Sequence, residues 1–220
     1  IVPPMAIEAA YLAREAGTFK ASLSIPLFVT GRINQPQEAE LIIARGQADV
    51  CGMTRALICD PQMPNKSNAG RSEDVRACIA CNQACIGHFH KGLPISCIQH
   101  PETGRELIFG KLHATTNRKR ILIAGGGPAG MKAAAVAAAR GHEVTLYEAG
   151  AQLGGQILLA QLLPRRSEFG GASTNLQREM ELAGVRVERN TRVARALVEQ
   201  EKPDMVIVAG GTQMIGASAT

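Results

Sequence analysis

Short apolar runs alternate with longer amphipathic stretches along this chain, and the alternation predicts strands separated by helices. Ile25–Thr30, opened by Pro26, reads as a buried strand, and Asp49–Met53 as the next. A helix over Ala6–Phe19, rich in Ala, Leu and Glu with Gly17 near its end, precedes the first. A second helix over Glu38–Arg45 separates the two strands, with Asn34 as N-cap, Pro36 early and Gly46 as terminator. Helix, strand, helix, strand with short connections is the pattern of parallel βα units. Two parallel strands expose both faces and both edges, so residues 1–75 are expected to belong to a larger sheet or barrel.

The same alternation returns after residue 119. Arg120–Ala124, Glu143–Tyr147, Val185–Glu188 and Met205–Ala209 read as strands. Met131–Arg140, closed by Gly141, and Thr174–Ala183, followed by Gly184, read as helices. The expected fold class is therefore α/β, with a doubly wound parallel sheet over residues 119–220. Residues 76–118 have neither periodicity and form a separate, cysteine-bearing connector; residues 107–119 read as linker.

Composition narrows the function classes only a little. A chain of 220 residues suits one or two domains. The net charge of +5 hints at an anionic partner, but Lys and Arg are dispersed, and only Arg118-Lys119-Arg120 forms a run. Nucleic acid is therefore not an expected partner; phosphate-bearing cofactors would use the same charges. The most apolar window, Ile121–Ala139, carries Gly-Gly-Gly-Pro and Lys132 and reads as strand, turn and helix rather than a membrane span. The chain opens Ile-Val-Pro-Pro, without a basic segment before an apolar core and without Met, and is expected to be part of something longer.

Three stretches carry chemistry. The first is Cys78, Cys81, Cys85 and Cys97, spaced C-x2-C-x3-C-x11-C. Four bunched thiols ask for a soft metal centre and a reducing, cytoplasmic setting rather than disulfides. A structural zinc site stays open as a reading. Three close cysteines plus one distant one suit an iron–sulfur cluster better than two C-x2-C knuckles would suit zinc. His88, His90 and His100 read as loop residues, and Cys51 and Cys59 as small apolar ones. The second stretch is Gly31-Arg32 and Gly52-Met53-Thr54-Arg55, at two successive strand ends. There glycine admits close backbone approach and arginine supplies a forked phosphate donor. The third is Gly125-Gly126-Gly127-Pro128-Ala129-Gly130, a G-x-G-x-x-G turn after a strand and before a helix, with Glu148 about 20 residues on. Gly125 would make the turn, Gly127 admit a pyrophosphate, Gly130 let helix and strand pack, and Glu148 accept ribose hydroxyls.

In order, V-T-G-R-I-N-Q-P, G-Q-A-D-V-C-G-M-T-R-A-L-I-C-D-P and C-I-A-C-N-Q-A-C resemble the trimethylamine dehydrogenase and 2,4-dienoyl-CoA reductase family. The resemblance implies the C-terminal end of a TIM-type (β/α)8 barrel (residues 1–75), a [4Fe–4S] loop (76–118) and an incomplete Rossmann-like domain (119–220). It implies that Gly31, Arg32, Thr54 and Arg55 lie at an FMN phosphate. Leu153-Gly154-Gly155-Gln156 resembles the FAD-binding half of two-dinucleotide flavoproteins. By that resemblance Gly155, Gln156, Arg166 and Val193 join Pro128 and Ala129 at FAD or ADP. The chain departs from the family's usual Thr within Val208-Ala209-Gly210-Gly211. In the full family, substrate reacts at FMN and electrons cross the cluster singly. FAD and NAD(P)H sit at the far end in reductases; in amine dehydrogenases the electrons leave to a carrier such as an electron-transfer flavoprotein. The catalytic acid lies on barrel strands outside this chain, so no catalytic residue is expected here. Leu93–Glu106 leans towards the amine branch, and the x3 step towards the reductases, which act on enoyl-CoA or similar alkenes.

Overall fold

A computed structural model describes residues 2–211; the tail from Thr212, which matched no pattern, lies outside the described residues. In chain order the elements are α1 (Ala13–Lys20), β1 (Phe28–Thr30), α2 (Pro36–Ala44), β2 (Val50–Gly52), α3 (Thr54–Cys59), α4 (Met63–Asn68), α5 (Ile86–His90) and α6 (Glu106–Phe109). They continue with β3 (Arg120–Ala124), α7 (Pro128–Ala139), β4 (Glu143–Tyr147), α8 (Ile157–Ala160), α9 (Phe169–Ala183), β5 (Arg186–Glu188), α10 (Arg195–Glu201) and β6 (Met205–Val208). Packing divides them into two units: residues 1–111 with 161–175, and residues 112–160 with 176–220. The cysteine connector therefore folds with the first unit.

In the first unit β1 and β2 run parallel, with Val29 opposite Cys51 and Thr30 opposite Gly52. Ala13, Val29, Ile33, Ile42 and Ala48 form the core beneath them. The pair has no further strand among the described residues, and Phe28 remains 70% exposed. That is the bare flank expected of strands taken from a larger parallel sheet. The expected early helix starts at Ala13, not Ala6. Ala10 is left-handed (φ 51°) and gives its N–H to Arg32 O at 3.1 Å, which a helical residue could not do. The N-cap of α2 is Gln35, not Asn34: the Glu38 carboxylate reaches back to the N–H groups of Asn34 (2.6 Å) and Gln35 (3.2 Å).

In the second unit the sheet order is β5-β4-β3-β6, all parallel. The central strand β3 is buried on both faces at Ile121, Leu122 and Ile123, as a doubly wound sheet requires. Helix α7 lays Met131, Ala134 and Ala135 on the core. Its small residues let the helix axis come close to the sheet. Helix α9 starts at Phe169, five residues before the expected Thr174. Its first turn lies on the 161–175 segment that packs with the first unit, and there a side chain at Gly171 would crowd Ile79 Cγ2 (3.3 Å).

One buried charge fixes the path from α3 to the cysteine loop. Asp60, 2% exposed, accepts hydrogen bonds from Lys66 Nζ (2.6 Å), the Arg76 N–H (2.9 Å) and the Gln62 N–H (3.1 Å). Burial alone would raise this carboxyl, but the Lys66 and Arg76 bonds and the charges of both outweigh it, and the group is held below its usual value. A carboxylate so depressed stabilises the fold fully above the ordinary Asp range, near ~4, and loses that contribution as pH falls through the lower folded value. Asp60→Asn is expected to cost about 2 kcal/mol in urea unfolding at pH 7, in line with charged hydrogen bonds. The gap between parent and variant should close as pH drops below about 4. A gap independent of pH would mean that the carboxylate charge is not what holds the loop.

Candidate functional site

The first site lies where β1 and β2 end. Gly31 (φ 127°) turns the chain, and a side chain there would press on Tyr11 Cε1 at 3.0 Å. Arg32 follows, also left-handed (φ 53°) and 6% exposed. Its guanidinium donates to Ile7 O and to the Glu168 carboxylate, while its buried Nε has no partner. Arg55, on α3, donates to Pro3 O (2.8 Å) and Asn82 Oδ1 (2.6 Å). Both arginines, with Gly31, Gly52 and the more exposed Thr54, line a cavity of about 350 Å³. Burial lowers the Arg32 pKa; Glu38 works against this, and neighbouring Arg55 adds to it. Two cations at one cavity, one carrying an unpaired buried N–H, make a site that favours an anion such as a phosphate.

The second site shares a wall with the first. Arg55, Ile58 and Cys85 border both the arginine cavity and a small cavity lined by Cys78, Cys81, Cys85 and Cys97. Its free space is about 20 Å³, room for one water, so the donor set rather than the volume identifies it. The loop reaches this arrangement through two left-handed residues, Ala80 (φ 49°) and Asn82 (φ 56°). Asn82 is tied down by Arg55 and by its own bond to Val2 O (3.0 Å). The Ser96 N–H donates to Ala84 O (2.9 Å), which returns the chain so that Cys97 meets the other three. All six cysteines are free thiols.

The surroundings of the four thiols suit thiolate ligands. Their cavity has apolar walls at Ile79 and Ile98. Backbone N–H groups point at sulfur: Ala80 at Cys78 (3.4 Å), Gln83 at Cys81, and Gln99 and His100 at Cys97. Burial pushes Cys78 up to about 11 and raises Cys81. Cys97 falls to about 6, chiefly through a hydrogen bond from Cys59, against the pull of burial. Among the described residues no three His, Cys, Asp or Glu side chains gather tightly enough for a single metal ion. A cubane cluster differs from an ion in this respect, because each thiolate binds a separate iron at a corner. His100 is engaged by Ile58 O (3.1 Å) and Thr103, and His88 by Pro94 O (3.0 Å).

The third site is in the second unit. Gly125 (φ 116°) makes the turn, and a side chain there would meet Ala209 O at 2.4 Å. Gly130 lets α7 seat on the turn: its Cβ would lie 2.0 Å from Gly125 O. Gly127, the N-cap of α7, has open space where a Cβ would stand, and Pro128 opens the helix behind it with Ala129 next. The three glycines thus differ in clearance: Gly125 and Gly130 have no room for a side chain, and Gly127 faces open space. Glu148, at the end of β4, accepts the N–H groups of Gly126 and Gly150, each at 2.7 Å. Both oxygens keep acceptor capacity for hydroxyls, and the charge disfavours a 2′-phosphate. A side chain on Gly155 (φ 53°) would lie 3.1 Å from Gly127 Cα, and exposed Gln156 stands beside it. Val193 stands two residues beyond Thr191, whose N–H donates to Glu148 O (2.9 Å). Arg166 is not in this unit; it is exposed on the segment that packs with the first. Asn82, Asp60, Cys59 and Gln99 carry no sequence signal of their own and enter the sites only through folding.

Comparison with known proteins adds two family models and several relatives. Residues 7–74 match the NADH:flavin oxidoreductase / NADH oxidase family, and residues 119–214 match pyridine nucleotide-disulphide oxidoreductases. A metal reductase of Desulforamulus reducens is 39% identical over 97% of this chain and 32% of its own length. An N,N-dimethylglycine/sarcosine dehydrogenase of Chromohalobacter salexigens is 36% identical over 97% of this chain and 31% of its own. The solved structure of a 2-naphthoyl-CoA reductase complex superposes with a TM-score of 0.91 at 29% identity, covering 97% of this chain and 33% of that one. The chain thus spans about a third of the length of the relatives it matches.

The turn glycines separate stability from binding. Gly130→Ala is expected to destabilise the fold by about 1–3 kcal/mol through overpacking. Gly127→Ala, which meets nothing, should leave urea unfolding unchanged and weaken ADP or FAD binding at least tenfold in calorimetric titration. Equal stability losses in both variants would remove the assignment of Gly127 to ligand approach.

Proposed function

The chain belongs to the trimethylamine dehydrogenase and 2,4-dienoyl-CoA reductase family, and on that premise we propose that it is the electron-handling portion of an iron–sulfur flavoprotein oxidoreductase. The observation that carries this reading is the shared wall: Arg55, Ile58 and Cys85 border both the anion cavity and the thiol cavity. An FMN phosphate would be held by Arg32 and Arg55, with Gly31 and Gly52 admitting it to the backbone and Thr54 beside it. A [4Fe–4S] cluster would be held by Cys78, Cys81, Cys85 and Cys97; when bound, such a cluster accepts and releases single electrons. FAD or ADP would lie on the Gly125–Gly130 turn, with its ribose on Glu148. NAD(P)H and an electron carrier are partners proposed for the whole protein.

Oxidative demethylation of an N-methylated amine is the substrate reading, supported by the Leu93–Glu106 sequence and by the dehydrogenase relative. The alternative is NAD(P)H-dependent reduction of an enoyl-CoA or another activated alkene. The Cys81-x3-Cys85 step and the similarity to a naphthoyl-CoA reductase favour it. No helix among the described residues is long and apolar enough to cross a membrane. A reducing cytoplasm is the setting in which four such thiolates persist.

Anaerobic purification with iron, sulfide and zinc analysis tests the central claim. Iron and labile sulfide in equal amounts are expected, with most of both lost in Cys81→Ser. Stoichiometric zinc in a colourless protein would overturn it. Arg55→Ala should weaken FMN binding by roughly 10- to 100-fold, the weight of one or two charge-assisted hydrogen bonds.

A further inference from the structure

Arg32 is a buried charge at the end of β1, and its guanidinium has to be held in place. The left-handed backbone (φ 53°) and the Ala10 N–H on Arg32 O (3.1 Å) fix where the side chain starts. Its far end donates to two acceptors, Ile7 O and Glu168 Oε1. The arginine side chain is only 3% exposed, so a carboxylate rather than water must offset its charge. Glu38, the nearest acid in sequence, accepts the N–H groups of Asn34 and Gln35. Arg55 adds a second positive charge nearby. Glu168, from the far end of the chain, is the carboxylate that pairs with Arg32.

The segment that carries Glu168 is anchored to the first unit at several points. Asn175 Nδ2 donates to Ala77 O (3.0 Å) and to Gln99 Oε1 (2.7 Å). Gly171 packs so closely on Ile79 that a side chain would crowd it. The turn into α9 is closed by the Phe169 N–H on Arg166 O (3.1 Å) and the Gly171 N–H on Glu168 O (3.0 Å). Glu168 is thus placed by a fixed backbone. Its own side chain is 35% exposed, so burial of Glu168 itself does not explain the contact.

Arg32 lines the cavity of about 350 Å³, and neither Ile7 nor Glu168 does. Glu168 can therefore act on a bound anion only through Arg32. We propose that Glu168 is a positioning residue for the anion site: its carboxylate, brought in on residues 161–175, holds the Arg32 guanidinium in the orientation that meets a phosphate group. The inference rests on the reading of that cavity as the flavin-phosphate site. Arginine meets phosphate through N–H groups fixed in one plane, so a rotated guanidinium loses the bonds while keeping the charge. A carbonyl on one arm of the fork and a carboxylate on the other set that plane, and the buried Nε keeps no protein partner.

The test is a fluorescence titration of the anaerobically purified, flavin-freed protein with FMN and, separately, with riboflavin, which has the same ring and no phosphate. Urea unfolding of every form runs alongside. Glu168→Ala should weaken FMN binding about tenfold and leave riboflavin within about twofold of the parent. Glu168→Gln keeps an acceptor and should stay within about threefold of the parent for FMN. Glu168→Asp keeps the charge but falls a methylene short, so it should lose FMN as Ala does; it decides the matter if the Ala variant does not fold. Once Arg32→Ala is in place, adding Glu168→Ala should change FMN affinity by less than about twofold. Equal losses for FMN and riboflavin would overturn the inference, as would failure of both the Ala and Asp variants to fold, since Glu168 would then be building the unit. Unchanged FMN binding in Ala and Asp would overturn it too. So would tighter FMN binding in Ala and Gln, which would make the carboxylate a competitor of the phosphate. A parent that binds FMN no better than riboflavin fails earlier and differently: it removes the flavin-phosphate reading, and this inference with it.

Discussion

The buried carboxylate of Asp60 is the interaction on which the arrangement of the first unit depends. It takes an ammonium, two backbone N–H groups and no water-facing surface, so it has one low-energy position. That position joins the end of α3 to Arg76, two residues before Cys78. With Asp60 in place, α3 presents Arg55 and Ile58 to one cavity and Cys59 to the cysteine loop behind. Six helical residues therefore line both cavities and bury a thiol against Gln99. A charge buried in this way is conditional: it holds because every partner is supplied, and it would disrupt the unit if one were removed.

The second unit is governed by backbone clearance instead. Gly125, Gly130 and Gly155 are each pinned by an atom that a side chain would strike or by a left-handed conformation, whereas Gly127 faces open space. The turn is held shut by Glu148, whose carboxylate already satisfies two N–H groups. One residue thus ties the loop from both sides while its oxygens keep further acceptor capacity.

How much of this could be read from the sequence depends on how local each cause is. The strands Arg120–Ala124 and Glu143–Tyr147 are found as expected, because continuous apolar runs between turn residues leave a chain little choice. Helices α3, α4 and α10 carry no such pattern, being six or seven residues long and dictated by tertiary contacts. Helix α1 has a good helical composition from Ala6, yet its first turns are lost because Ala10 bonds a residue 22 positions away. Propensity is a weak prior, and one long-range hydrogen bond outweighed it.

The sequence alone determined the α/β class, the parallel units, the four cysteines of the soft-metal spacing, the two arginines at strand ends and the glycine turn with its acid. Each of these is set by spacing within a single stretch, where backbone geometry converts sequence distance directly into spatial distance. Only the tertiary structure decided that the arginine and cysteine sites share a wall. It alone brought Asn82 to Arg55, Glu168 to Arg32, Asn175 to Gln99 and Gln99 to Cys59. Those pairings span 27, 136, 76 and 40 residues. They follow from which surfaces are buried together, and no periodicity along the chain encodes that.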